Sequence, residues 1–201
     1  MTKKMKPMTA AEFMAQKESD PEWVEKRRRR EEKDRERREA LDLAQAPVVE
    51  DLRSAGFPVK SVWDLVNTPG SYPQAIPVLL KHLERPYPDP VREGIARALA
   101  VPESRDAGWS LLVRLFRAEP PGQFRQGLAV AIAESADDDV LEEVIDLLRD
   151  KNFGTNRILL LPVLERSRKP EVLDILSGLK EDPDLEHEVQ KTLRRIKRAK
   201  R

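Results

Sequence analysis

The chain has 201 residues, with 37 Lys and Arg against 36 Asp and Glu, so its formal net charge is +1 although 36% of its residues are charged. Apolar residues make up 39%, and stretches such as 158–164 fall far short of the roughly 20 residues that cross a bilayer, so no membrane association is expected. Cysteine is absent, which excludes disulfides, thiolate metal sites and a cysteine nucleophile; Lys3, Lys4 and Lys6 precede no apolar core, so a soluble, cytoplasmic protein without a secretory signal is expected.

Composition divides the chain into residues 1–46 and 47–201. In the first part, Thr9-Ala10-Ala11-Glu12 reads as a capping box opening a short helix with Phe13 and Met14. Asp20-Pro21 reads as a cap followed by proline at the first helical position. Over 22–39, Trp23 and Val24 are the only large apolar residues, and 26–39 carries nine basic and five acidic residues. Opposite charges three and four apart support a helix there, but no apolar stripe exists for it to bury. A charged helical arm is expected, not a domain.

From Pro47 onward apolar residues recur at helical spacing, and no period-two alternation appears, so an all-α fold is expected. Residues 47–55, closed by Gly56, and 61–67 read as a shortened leading hairpin. In the latter, Ser61 is the expected N-cap, Asp64 suits the first turn and Trp63 is an apolar anchor. Four helical runs then superimpose at shifts of 33, 32 and 31 residues: Ile76, Leu79, Leu80, Leu83; Trp109, Leu112, Val113, Phe116; Leu141, Val144, Ile145, Leu148; Val172, Ile175, Leu176, Leu179. Between these first-set helices lies a second set, in which Ile95, Ala96 and Leu99 match Leu128, Ala129 and Ile132, then Leu160, Leu161 and Leu164. The last second-set helix keeps Leu193 and Ile196 and is otherwise polar, as a terminal cap requires. Small residues on the second set (Gly94, Ala98, Gly127, Ala131) would let neighbouring helices approach closely. The pattern predicts an α-solenoid of four to five helical hairpins, each burying its apolar face against the next.

Asp89-Pro90-Val91-Arg92, followed by Ala96, Ala98 and Leu99, resembles the D-x-x-V-R-x-x-A-x-x-A-L pattern of short bacterial HEAT-like repeats, the type found in phycobilin lyase-like proteins, with one-residue differences in spacing. The resemblance covers about residues 72–198. Gly122 and Gly154 replace the aspartate in the second and third units. It implies an α-solenoid used mainly to bind macromolecules, and no particular reaction.

Arg92, Arg125 and Arg157 form a column, each seven residues before a matching core position, and stacking would align them as a ladder. Such a ladder could hold carboxylates or phosphates by paired N–H donors. The competing reading has each arginine bonded to a neighbouring unit's turn, with Asp89 as partner for the first. Arg194, Arg195, Lys197 and Arg198 belong to a tail without an acid from 191 to 201 and are the candidates for phosphate contact. Asp137, Asp138, Asp139, Glu142 and Glu143 could offer oxygens to a cation but are expected to cap the following helix. His82 falls in a core register, His187 sits among acids, and neither a metal nor a cofactor is expected. Trp23, Trp63 and Trp109 invite comparison with HEAT-like DNA glycosylases, yet Trp109 holds a core register and no catalytic constellation accompanies it. The expected function is a non-catalytic adaptor for another macromolecule, chiefly a protein, an inhibitor or immunity-type protein being one version. Nucleic-acid binding through the arm and tail is the alternative, ahead of a glycosylase or a chromophore lyase.

Overall fold

The computed structural model describes residues 8–199, and among these every regular element is helical. Lys3, Lys4, Lys6, Lys200 and Arg201 lie outside the described residues. The chain falls into two compact units that meet at Leu43 and Ala44 in sequence, three residues before the boundary that composition suggests.

The first unit holds α1 (Ala10–Glu18) and the leading part of α2 (Pro21–Ser54). The capping box forms as expected: the Glu12 N–H donates to Thr9 Oγ1 at 3.3 Å and the Thr9 N–H to Glu12 Oε2 at 2.9 Å. Asp20 Oδ1 likewise accepts from the N–H groups of Glu22 and Trp23, at 3.0 and 3.4 Å, with Pro21 at the first position where no N–H is needed. Along the charged stretch, Arg27–Glu31, Arg28–Glu25, Arg29–Glu25 and Arg35–Glu39 pair three or four residues apart on exposed side chains.

The second unit begins within α2, where Gln45, Val48, Val49 and Leu52 are buried. Pro47 does not break the helix, contrary to its reading as the start of a new element. Its ring removes one N–H, the partner of the Leu43 carbonyl, and burial of the three aliphatic residues beyond it outweighs that loss. Then follow α3 (Trp63–Val66), α4 (Ile76–Leu83), α5 (Asp89–Ala98), α6 (Ser104–Ala118), α7 (Gln123–Ser135), α8 (Leu141–Arg149), α9 (Leu161–Arg166), α10 (Val172–Gly178) and α11 (Glu186–Ala199). Short 3₁₀ segments cover Pro73–Ala75, Lys151–Leu160 and Leu179–Glu181.

The predicted apolar stripes face the core. Leu79, Leu83, Leu112, Phe116, Leu141, Val144, Leu148 and Leu176 are buried, as are Ile95, Leu99, Leu128, Ile132, Leu160 and Leu164 of the second set. The principal packing joins elements close in the chain: α3 with α5, α4 with α5 and α6, α5 and α6 with α7, α7 with α9, α9 with α11, and α10 with α11. Two glycines make this packing possible. A Cβ on Gly127 would sit 3.0 Å from the Glu93 carbonyl oxygen and 3.1 Å from Ala96 Cβ, and one on Gly94 would lie 2.6 Å from Val62 Cγ2. The expected third second-set helix departs from its pattern. It is drawn into 3₁₀ geometry over 151–160, broken at Gly154 (φ 52°), before α9 resumes the α-helix.

Several polar links between segments span 29 to 34 residues along the chain. Lys81 bonds Asp51, Arg114 bonds Glu84 and Arg195 bonds Glu165, each 30 residues apart. Ser167 bonds Asp138 across 29 residues and Trp109 Nε1 donates to Glu143 across 34. These separations match the spacing of the apolar runs.

Candidate binding surfaces

The three arginines of the column have three different fates. Arg92 stands on the first turn of α5, and its Nη1 and Nη2 reach the Glu119 carboxylate at 3.2 and 2.5 Å. Its guanidinium also lies 3.7 Å from the Phe124 ring centroid. The partner is therefore the acid at the α6–α7 turn, not Asp89. Arg157 is wholly buried, with Nη1 2.7 Å from Asp182 Oδ2, Nη2 3.1 Å from Asp182 Oδ1 and 3.1 Å from Asp184, and further bonds to the carbonyls of Leu148 and Gly154. It ties 3₁₀ segment 151–160 to the turn before α11, and it offers nothing to a ligand. The Asp182 carboxyl is held below its ordinary range chiefly by the Arg157 hydrogen bond.

Arg125 is the exception. It is 7% exposed, its guanidinium lies 5.9 and 5.5 Å from the ring centroids of Phe116 and Phe153, and its Nε and Nη1 have no hydrogen-bond partner. Asp150 follows Arg125 by 25 residues as Asp182 follows Arg157, and both aspartates accept the N–H two residues on, from Asn152 at 2.9 Å and Asp184 at 3.1 Å. Arg125 nonetheless makes no bond to Asp150. The unpaired nitrogens are themselves sealed from solvent, so the column does not form the ligand-facing ladder that its spacing predicts.

The acidic cluster divides: Glu142 and Glu143 stand in the first turn of α8, where acids suit the dipole, but no side chain caps that helix at Val140, and the other acids are engaged in internal links. Asp137 pairs with Arg105, Asp138 accepts from Ser167 Oγ and the Arg168 N–H, and Glu143 accepts from Trp109 Nε1 at 2.6 Å. Trp109 is consequently half-buried, with its indole N–H on an acid, rather than sunk in the core. Trp63 packs beside Gly94. No group of three potential metal ligands occurs among the described residues.

His82 is fully buried in α4, with Nε2 2.8 Å from Asp51 Oδ2 and Nδ1 2.6 Å from the Tyr87 hydroxyl. A neutral ring donating to Asp51 and accepting from Tyr87 satisfies both nitrogens. Burial pushes the imidazole below its ordinary value, only partly offset by the bond to Asp51. Asp51, bonded first by Lys81 and then by His82, is pulled down to about 2.

Open surface remains around the C-terminal helices. Val130 of α7, Ile158 and Leu159 of the 3₁₀ segment and Pro162 of α9 form the half-exposed floor of a groove of about 310 Å³ that extends to Thr192 and Arg195 of α11. Its rim acids are already paired: Glu134 with Arg166, Glu165 with Arg195 and Glu188 with Lys191. A second groove of about 440 Å³ lies along α10 and α11, and Arg195 lines this one too. Of the tail candidates, Arg194, Lys197 and Arg198 are exposed on α11 and Arg195 is engaged by Glu165 at 3.0 Å. Neither groove is visible in the sequence, because each combines residues from several segments and, apart from Arg195, none is conspicuous alone.

Comparison with protein-family models, with curated proteins and with solved structures finds no match to this chain. Among the described residues no helix is long and apolar enough to cross a membrane.

Proposed function

We propose that residues 47–199 form an α-solenoid of stacked hairpins of the short HEAT-like kind, working as a non-catalytic scaffold that recognises another protein. The solenoid reading is supported by the agreement between two periods, that of the apolar runs and that of the polar links. Both stay near 30 residues, as expected where each unit touches only its neighbours. The binding reading is carried by one observation, the aliphatic floor of Val130, Ile158, Leu159 and Pro162 on the second-set side, whose flanking charges are already neutralised. Such a surface favours an apolar protein segment, because binding releases water from aliphatic carbon without stripping unpaired charges. The clamps of Arg157 and Arg92 tie successive segments together, which favours a pre-organised frame and little ordering on association.

The test is affinity capture with the full chain as bait, beside Leu159→Glu. A protein retained by the parent and lost by the variant, with helicity unchanged by circular dichroism, is the expected result. Equal retention by both, or recovery of nucleic acid alone, overturns the reading. A nucleic-acid role keeps one supporting observation, the exposed cations Arg194, Lys197 and Arg198 on α11. It requires duplex or single-strand affinity at low salt that falls steeply as salt rises, and absence of binding at low salt ends it.

A further inference from the structure

The second groove differs in kind from the first and does not depend on it. Its floor is aliphatic: half-buried Leu173 of α10 supplies most of the accessible carbon, flanked by the largely buried Val172 of α10 and Ile196 of α11. Its edge carries Arg168 and Lys169, which precede α10, and Arg195 of α11, against the single carboxylate of Glu165. Glu165 is engaged by Arg195, which leaves Arg168 and Lys169 without a carboxylate at ion-pair distance among the described residues. The backbone beneath these two cations is fixed. The Arg168 N–H donates to Asp138 Oδ2 at 3.3 Å and the Lys169 N–H to Ser167 Oγ at 3.2 Å, and Ser167 itself donates to Asp138. Asp138 feels the charges of Lys169 and Arg168 but spends its hydrogen bonds on the loop's own N–H and hydroxyl groups, and neither cation's side chain forms an ion pair with it. Arg194, Lys197 and Arg198 extend the positive field along α11.

An aliphatic trough bordered by uncommitted cations selects a ligand with the inverse pattern. Nucleic acid would supply the negative charge, but the trough has no aromatic ring on which a base could stack. We propose that this groove binds an acidic amphipathic segment of a partner protein. Its apolar side chains would rest on Val172, Leu173 and Ile196 while its carboxylates meet Arg168 and Lys169.

The experiment titrates the full chain into labelled peptides followed by fluorescence anisotropy. One peptide has Leu at positions i, i+3, i+4 and i+7 with Glu elsewhere. A second has Lys in place of Glu, a third has Ser in place of Leu, and a labelled DNA duplex serves as the fourth probe. Only the Glu/Leu peptide is expected to bind. The exposed-loop variant Arg168→Glu/Lys169→Glu should weaken it by about tenfold or more without loss of helicity, and Leu173→Ser should weaken it independently of salt. Equal binding of the Glu and Lys peptides, no binding of the Glu/Leu peptide, or an affinity untouched by the double variant each overturns the proposal. DNA binding that the double variant abolishes, with the peptides silent, assigns the cations to nucleic acid instead.

Discussion

The arm and the body of this chain use the same ionic residues in opposite ways. Over residues 25–39 arginine and glutamate pair three or four positions apart, within one helix and in solvent. In the body, besides local pairs such as Glu188–Lys191, many pairs reach 25 to 32 residues along the chain, and those of Arg92 and Arg157 are half-buried or buried. A pair within one turn adds a few tenths of a kcal/mol to a helix and says nothing about tertiary structure. A pair between helices fixes how one helix sits on the next. Charge density alone therefore does not distinguish a solvated arm from a clamped core; the presence of pairs that reach from one helix to another does.

Removing a clamp is the strongest way to break this contrast. Arg157→Met leaves Asp182 buried beside an apolar side chain, and a loss of about 3–5 kcal/mol in urea unfolding is expected. Arg125→Met, in the same column, removes a buried guanidinium that has no carboxylate to abandon, and stability should change by less than about 1 kcal/mol or rise. Similar large losses for both variants would show that Arg125 has a partner in solution.

Acid sharpens the comparison next. His82 is neutral and buried in the folded body with its affinity for a proton lowered, so below its ordinary value of about 6.5 the unfolded chain binds more protons and stability falls with pH. Asp51, depressed to about 2, adds stability that is present above its ordinary value of 3.8 and is lost as pH falls from there toward 2. Thermal melts between pH 7.5 and 5 should show a declining Tm that flattens in His82→Gln. The smallest effect belongs to the arm: Glu25→Ala removes two exposed pairs and should lower helicity slightly at low salt, with no change in the melting of the body.

Much of the fold was legible because burial writes a period into the sequence. Ile76 to Leu83 and Leu141 to Leu148 show it cleanly, and the caps at Thr9 and Asp20 formed as their residue types require. Pro47 misled because a missing N–H costs less than the burial of Val48, Val49 and Leu52 returns. The candidate site was less readable. The column of Arg92, Arg125 and Arg157 was visible, but its direction depends on acids in the following unit. Only their offset of 25 to 27 residues, Glu119 after Arg92 and Asp182 after Arg157, could have disclosed that the first and third are clamped by acids. Nothing in the sequence separates Arg125 from them, since Asp150 stands at the same offset and is not used.

The polar links also bear on how the body would respond to mechanical load. Because Asp51–Lys81, Glu84–Arg114 and Glu165–Arg195 each tie one segment to the next along the polypeptide, a pull on the two ends would load these fasteners in series. In the solenoid proposed above, tension would then peel the molecule open segment by segment, and slack would let each segment close again on a neighbour still in place.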